Sequence, residues 1–254
     1  MSPSSSSSIQ RVDFQKAQRE HKRLVDALQI CGLKHVNLSS GGFADSVFIE
    51  DTCVVIGNTA FITHPGAISR QAETVDVKEL LLKGEGQVEF SLKVVECSQD
   101  GRIDGGDVLF VGDCIFVGLS SRTNLIGLQS LQAAFTQYPV IPIEMADISE
   151  RTLHLKSACS LCGINHILVG GVEGLSIQKQ IEAKRPKCYR FTHVADAAAS
   201  NVVFVNGTLI RRQSDEFPLS SAVLAALNKG NQVEVAAGEL AKVDGALTCC
   251  SLLI

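Results

Sequence analysis

Two adjacent cysteines, Cys249 and Cys250, lie in an apolar segment near the end of the sequence. A thiol in such a segment is either a buried packing residue or a nucleophile. If the segment is a strand, neighbouring side chains face opposite sides, so both thiols cannot enter one cavity. We therefore predict that one cysteine is structural, and that the other is a nucleophile if a histidine and carboxylates meet it.

A first polar cluster, residues 45–51, could supply the carboxylates. On an alternating strand Asp45 and Asp51 share one face, and Glu50 takes the other unless a bulge or strand end turns it. Unpaired carboxylates among Val, Phe and Ile are costly to bury. The cluster is therefore either a solvated strand end or a site for a guanidinium, whose fork of donors matches carboxylate geometry.

Two further clusters could supply the histidine and a carboxylate that orients it. Residues 104–107 place two glycines between two acids. This pattern is either a sharp turn before a strand or a means of presenting Asp104 to a histidine. Residues 154–157 begin with His154, which taken alone is more often structural than catalytic.

The composition is typical of a globular protein and argues against nucleic acid and membrane as partners. Of the 254 residues, 45% are hydrophobic and 20% charged, the net charge is −4, and neither a basic stripe nor a long apolar run is present. Nine scattered cysteines without a signal sequence predict reduced thiols and a cytoplasmic location. Cys159 and Cys162 form an isolated pair, which we interpret as packing residues rather than zinc ligands.

Short apolar runs that meet at tight turns recur at intervals of roughly 50 residues, a spacing typical of repeated structural units. Four hairpins are predicted, over residues 52–63, 108–119, 159–170 and 202–211. Helical patterns cover residues 9–30, 69–83, 123–138, 176–184 and 218–229. We expect a disordered serine-rich tail over residues 1–8 and one mixed α/β domain over 9–254, and the pattern leaves open whether the units close into a ring.

Six short motifs occur in order along the chain: DSVFIED, ITHPGAISR, DGGDVLF, VGLSSRTN, LHLKS and KVDGALTCCS. Each motif is weak alone, but the series closely resembles the dimethylarginine dimethylaminohydrolases. These belong to the guanidine-modifying superfamily that includes arginine deiminases and amidinotransferases. The resemblance covers almost the whole chain and implies a five-fold pseudosymmetric α/β propeller of ββαβ units.

The resemblance also implies roles for individual residues. It makes Cys249 the nucleophile, His154 the general acid/base and Asp104 the carboxylate that orients the histidine. The implied substrate contacts are Glu50 and Asp51 at the guanidinium, Asp45 near the α-amino group, Arg70 and Arg122 at the α-carboxylate, and Ser157, Val243 and Asp244 in the pocket wall.

The implied reaction converts N(G),N(G)-dimethylarginine or monomethylarginine to citrulline and an amine, and so controls the methylarginine inhibitors of nitric oxide synthase. Cysteine suits the reaction because a thiolate is accessible near neutral pH, and His154 would protonate the leaving amine and then activate water. No cofactor is expected, but zinc is expected as an inhibitor at Cys249 and His154. The expected partner is a small molecule, and the expected state is a monomer or homodimer.

One departure from the family pattern concerns the segment before the first helix. Family members carry a strand and a mobile loop there, and the loop closes over bound substrate. Neither the strand nor the loop has a match in this sequence. We therefore expect an open pocket and a first propeller unit that is short by one strand. Two alternatives stay open: an arginine deiminase-like enzyme, and a non-catalytic lidless relative that binds guanidines or a protein.

Overall fold

The computed structural model describes residues 11–39, 41–84, 89–146, 148, 152–228 and 230–254. The predicted tail, residues 1–8, lies outside the described residues, as do the predicted start of the first helix and the predicted end of the last. Within the described ranges, no helix has both the length and the apolar character that a membrane crossing requires.

Twelve strands and five helices alternate along the described chain. The strands are β1 Cys53–Ile56, β2 Thr59–Ile62, β3 Lys93–Glu96, β4 Val108–Phe110, β5 Ile115–Leu119, β6 Val140–Glu144, β7 Cys159–Gly163, β8 His166–Gly170, β9 Arg190–Val194, β10 Val203–Val205, β11 Thr208–Arg212 and β12 Gln232–Val235. The helices are α1 Phe14–Ile30, α2 Glu73–Lys83, α3 Leu125–Ala134, α4 Gly171–Lys184 and α5 Pro218–Ala226.

The four predicted hairpins are confirmed as the antiparallel pairs β1–β2, β4–β5, β7–β8 and β10–β11. Their turns contain the residues that tolerate left-handed backbone. In the last hairpin, for example, Asn206 has φ 48° and Gly207 has φ 75°. Each second strand then leads through a helix to a third strand that pairs with it in parallel. The result is four separate three-stranded sheets, none of which closes on itself among the described residues.

The five helices are confirmed, but the bounds of several differ from those predicted. Helix α2 begins at Glu73 because residues Ile68–Arg70 form a separate 3-10 turn. Helix α3 begins after Asn124, whose side chain accepts a hydrogen bond from the Gly127 N–H and so acts as an N-cap. Helix α4 begins earlier than its apolar pattern indicated, because β8 runs directly into it at Gly171.

Two of the larger apolar clusters span consecutive sheets. Phe116 of β5 packs in one cluster with Ile167 of β8 and Ile177 of α4. Phe61 of β2 shares another with Ile115 of β5. Burial of such side chains is favourable by about 1.5–3 kcal/mol each, so these clusters hold the units together and position the turns that precede them.

Of the seven 3-10 turns among the described residues, five contact one another in series. Four precede the first strands of the four sheets, and the fifth lies near the end of the chain: Ile49–Thr52, Gly105–Asp107, Leu155–Ser157, Ala197–Ser200 and Thr248–Cys250. The expectation that residues 45–51 form an alternating strand is therefore wrong, since a run of turns there leads into the first 3-10 turn.

The placement of the cysteine pair on a strand is also wrong. The N–H of Cys250 bonds to the carbonyl of Leu247, and the N–H of Ser251 bonds to the carbonyl of Thr248, which closes a tight turn. Successive side chains of a 3-10 turn still point in different directions, about 120° apart. Cys250 is buried and its thiol contacts the carbonyl of Ala246, whereas Cys249 is half-buried.

Candidate active site

The two predicted guanidinium-binding acids lie side by side on the turn Ile49–Thr52, where both are buried. Glu50 is held at both oxygens. Lys156 Nζ donates to one at 2.5 Å, and Thr248 Oγ1 donates to the other at 2.8 Å. Burial raises the pKa of Glu50, and the Lys156 charge only partly opposes this rise. Glu50 thereby joins the turn that carries the cysteine pair to the turn that follows His154.

Asp51 binds an internal guanidinium. Arg70 Nη1 lies 2.5 Å from one carboxylate oxygen of Asp51, and the backbone N–H of Gly106 donates to the other at 2.9 Å. Burial alone would raise the pKa of Asp51, but the charges of His154 and Arg70 outweigh it and the pKa is lowered. Arg70 also donates to Glu73, so its guanidinium is enclosed by two carboxylates.

His154 and Asp104 form a buried hydrogen-bonded pair, with 2.9 Å between His154 Nε2 and Asp104 Oδ2. The second oxygen of Asp104 accepts from the Gly66 N–H at 2.7 Å, so the carboxylate is fixed in place. Burial would lower the pKa of His154, but Asp51, Asp104 and Asp107 together raise it to about 9. The imidazole is therefore protonated at neutral pH, the state required of a general acid.

The two glycines between the acids of residues 104–107 allow this approach. A Cβ on Gly105 would lie 1.9 Å from the carbonyl oxygen of Glu50. A Cβ on Gly106 would lie 2.7 Å from His154 Nδ1 and 2.9 Å from Asp51 Oδ1. Side chains at either position would therefore separate the two acidic turns from each other and from the imidazole.

The Cys249 thiol lies in the field of the same carboxylates. Burial, together with the negative charges of Glu50 and Asp51, raises its pKa well above the ordinary value. The thiol is thus protonated in the empty site. A cation placed between the thiol and the two acids would cancel their charge and favour the thiolate.

The remaining predicted substrate contacts lie nearer the surface. Arg122 is half-buried on the loop after β5, and no acceptor in the described part of the chain pairs with its guanidinium. Asp45, Val243 and Asp244 are exposed, and Asp244 has left-handed backbone with φ 60°. Ser157 accepts a hydrogen bond from the N–H of His154 at 3.2 Å and so braces the histidine turn.

Several residues that sequence reasoning did not assign complete the site. Asp107 is fully buried and accepts from Ser120, Thr123 and the N–H of Leu155, so it ties the Arg122 loop to the His154 turn. Burial raises the pKa of Asp107 to about 6. The sequence signal was present, because Asp107 is the second acid of the DGGD motif. The others are Glu73, Lys156, Asn201 and Thr248.

Three potential metal ligands lie close together among the described residues. One ligand atom each from Asp51, Asp104 and His154 lies within 4.8 Å of the others, and all three residues are buried. Cys249 is not part of that group, so inhibitory zinc at Cys249 and His154 stays a prediction. The donors are oxygen and nitrogen atoms, which suit a range of divalent metals.

Fold and site together define an amidine hydrolase with a cysteine nucleophile, since a thiol, a protonated imidazole and paired carboxylates are carried on adjoining turns of small α/β units. The family model for eukaryotic N,N dimethylarginine dimethylhydrolase matches residues 5–184. The chain is 34% identical over 244 residues to an N(G),N(G)-dimethylarginine dimethylaminohydrolase of Streptomyces coelicolor, covering 96% of this chain and 88% of that protein. The chain belongs to the dimethylarginine dimethylaminohydrolase family.

Solved structures of relatives agree with this membership. A mutant of the Pseudomonas aeruginosa enzyme complexed with citrulline matches with a TM-score of 0.78 at 26% identity, over 96% of this chain and 91% of that one. A dimethylarginine dimethylaminohydrolase adduct with S-methyl-L-thiocitrulline matches with a TM-score of 0.79 at 26% identity, with the same coverage.

Proposed function

We propose that this chain hydrolyses N(G),N(G)-dimethylarginine and monomethylarginine to citrulline and the corresponding amine, through a covalent intermediate on Cys249. The observation that carries the proposal is the acidic turn Ile49–Thr52, which contacts both the turn that carries Cys249 and the turn Gly105–Asp107, next to the hydrogen-bonded pair of Asp104 and His154. Citrulline and a thiocitrulline adduct in structures of relatives support the same chemistry.

Substrate binding would itself activate the nucleophile. The substrate guanidinium is a cation, and beside Glu50 and Asp51 it offsets the charges that keep the Cys249 pKa high. Both carboxylates already pair with internal cations, Lys156 and Arg70, so the substrate shares or replaces these partners. The Cys249 thiol then loses its proton to solvent, because His154 is already protonated, and the thiolate attacks the guanidinium carbon.

His154 would act first as an acid and then as a base. Its raised pKa means that it enters the reaction protonated and can donate to the departing dimethylamine as the C–N bond breaks. A thiouronium is left on Cys249, and the neutral imidazole removes a proton from the attacking water. Water adds to the carbon, the C–S bond breaks, and citrulline leaves while the cysteine regains its proton.

Recognition of the amino acid end falls mainly to Arg122. Its guanidinium is without a partner in the described structure and can form a charge-assisted pair with the α-carboxylate. Arg70 is engaged by Asp51 and Glu73, so a contact with substrate would require it to leave one of them. Asp45, Ser157, Val243 and Asp244 are proposed to complete the pocket. The chemistry requires no cofactor, and zinc is proposed as an inhibitor.

We also propose that the described units belong to a single five-fold α/β propeller. In support, one residue of each of five segments lines a common cavity of about 320 Å³: Val54, Leu109, Leu161, Val203 and Leu252. The fifth unit would consist of the turn Thr248–Cys250, residues 251–254, α1 and the residues that follow α1. Its central strand is not among the described residues, and a cavity of about 800 Å³ lies between residues 33–38 and 251–254.

A cytoplasmic location and a monomeric or homodimeric state complete the proposal, with methylarginines as the small-molecule partners. Free thiols at all nine cysteines support a reducing compartment. By consuming methylarginines, the enzyme would control the inhibitors of nitric oxide synthase.

The proposed activity is tested by measuring citrulline release by the purified chain, with dimethylarginine and arginine supplied in separate reactions. Release from dimethylarginine that Cys249→Ser abolishes is the expected result. Release from arginine alone would indicate an arginine deiminase-like enzyme. Binding of either compound without release would indicate a non-catalytic relative.

A further inference from the structure

The five 3-10 turns contact one another in sequence. The turn Thr248–Cys250 contacts Ile49–Thr52, which contacts Gly105–Asp107, which contacts Leu155–Ser157, which contacts Ala197–Ser200. The cysteine turn is thus joined directly to the acidic turn and, through Glu50, to the turn after His154. A second link between the cysteine turn and the turn after His154, independent of Glu50, comes from the end of the turn Ala197–Ser200.

Asn201, which ends the turn Ala197–Ser200, provides that link. Its side chain is 1% exposed and reaches two other turns. Asn201 Nδ2 donates to the carbonyl of Lys156 at 2.8 Å and to Thr248 Oγ1 at 3.0 Å. Asn201 Oδ1 accepts from the Thr248 N–H at 3.0 Å. One buried amide therefore spans from the residue before Cys249 to the turn that begins after His154.

These bonds also fix the direction of the Thr248 hydroxyl. The amide nitrogen of Asn201 can only donate, so Thr248 Oγ1 accepts from it. The hydroxyl proton is then free to point to Glu50, 2.8 Å away. Lys156 holds the other oxygen of Glu50, and its own carbonyl is held by Asn201. Asn201, Thr248, Glu50 and Lys156 thus form a closed circuit of hydrogen bonds.

We propose that Asn201 is a positioning residue for the reaction. It holds the Cys249 turn against the His154 turn and, through Thr248, orients Glu50 toward the substrate guanidinium. The proposal rests on the proposed function, since it assumes that Cys249, His154 and Glu50 act together. A neutral amide is required at this position, because both a donor and an acceptor are used at once.

Asn201→Asp keeps the shape of the side chain and removes both N–H donors. The new carboxylate would face the Lys156 carbonyl and Thr248 Oγ1, and the hydroxyl would turn from Glu50 toward it. The expected loss in kcat for dimethylarginine is about 10- to 100-fold, the effect of displacing reacting groups by roughly 1 Å. Asn206→Asp is the matched control, because Asn206 Nδ2 donates to the carbonyl of Cys31 and not to a residue of the five turns.

Thr248 separates positioning from folding if Asn201→Asp does not fold. Thr248→Val removes only the hydroxyl and should lower kcat, whereas Thr248→Ser keeps the hydroxyl and should restore it. Thermal unfolding of each variant shows whether the protein is folded. Folded Thr248→Val with the kcat of the wild-type protein would overturn the proposal, as would folded Asn201→Asp that is no less active than Asn206→Asp.

Alkylation of Cys249 by iodoacetamide, followed by peptide mass spectrometry, tests the same link without turnover. Loss of the Asn201 bonds should free the cysteine turn and speed alkylation of Cys249 relative to buried Cys250. If the ratio of the alkylation rates of Cys249 and Cys250 is the same in Asn201→Asp as in the wild-type protein, the positioning role is contradicted even if the chain proves inactive. If the wild-type protein is inactive on dimethylarginine but Asn201→Asp still alters the alkylation ratio of Cys249 to Cys250, the proposed function is refuted and the positioning role is not.

Discussion

Replacing His154 with glutamine tests the charge that the site places on this imidazole. Burial alone would lower the pKa of His154, but the surrounding Asp51, Asp104 and Asp107 raise it from 6.5 to about 9. At about 1.4 kcal/mol per pKa unit, the folded protein binds this proton more favourably than the unfolded chain by about 3 kcal/mol. Glutamine can still donate a hydrogen bond to Asp104 but cannot carry the charge.

The sign of the pH dependence follows from the raised pKa. The stabilisation is present in full below about pH 6.5 and is lost as the pH rises through about 9. Across that window the wild-type protein should lose up to about 3 kcal/mol of unfolding free energy relative to His154→Gln. Urea unfolding of both proteins at the two ends of the window gives the difference, and NMR titration of the imidazole gives the pKa directly.

His166 supplies a control with the opposite sign. Burial, with the charge of Arg190, lowers the pKa of His166. His166→Gln should therefore remove a contribution to the unfolding free energy that increases as the pH rises. The protonated state assigned to His154 is refuted if the unfolding free energies of the wild-type protein and His154→Gln change in parallel with pH. It is also refuted if the pKa of the His154 ring is at or below 6.5.

The other predictions concern the nucleophile, the glycine turn and substrate recognition. Cys249→Ser should abolish citrulline release while Cys250→Ser keeps most of it, because Cys249 interacts with both Glu50 and Asp51, whereas buried Cys250 interacts with Glu50 alone; equal losses would contradict this. Gly106→Ala places a methyl group 2.7 Å from His154 Nδ1 and should lower kcat with the fold intact, whereas unchanged kcat would mean that the close approach is not needed. Arg122→Ala should weaken the binding of substrates with an α-carboxylate by about tenfold to a hundredfold, whereas inhibition by simple alkylguanidines should change little. Equal effects on both would mean that Arg122 has a structural role.

The hairpins and helices were largely predictable because their signals are local. Asn206 and Gly207 identify their turn by backbone preference alone, and apolar periodicity locates the helices. Helix bounds were less predictable, since they depend on caps such as Asn124 and on the direct passage of β8 into α4. The 3-10 turns carry no periodic signal, which is why residues 45–51 and the cysteine pair were wrongly expected on strands.

The motif residues do converge in the structure, but their pairing could not be derived from the sequence. Nothing local indicates that Arg70 binds Asp51 and Glu73, because that contact depends on how α2 packs beside the acidic turn. Asn201 lies in a segment without any chemical motif, and its link to Thr248 exists only through packing of distant units. The individual catalytic and binding roles of the motif residues stay predictions.

In the proposed mechanism, Cys249 forms a covalent intermediate with the substrate. His154 is needed both to form this intermediate efficiently and to hydrolyse it. Mass spectrometry of His154→Gly incubated with dimethylarginine tests it most directly, because the variant lacks the base that activates water. We predict a slowly formed mass increase that peptide mapping places on Cys249 and that the double variant Cys249→Ser, His154→Gly does not show. An adduct on Cys250, or full citrulline release by His154→Gly, would contradict it.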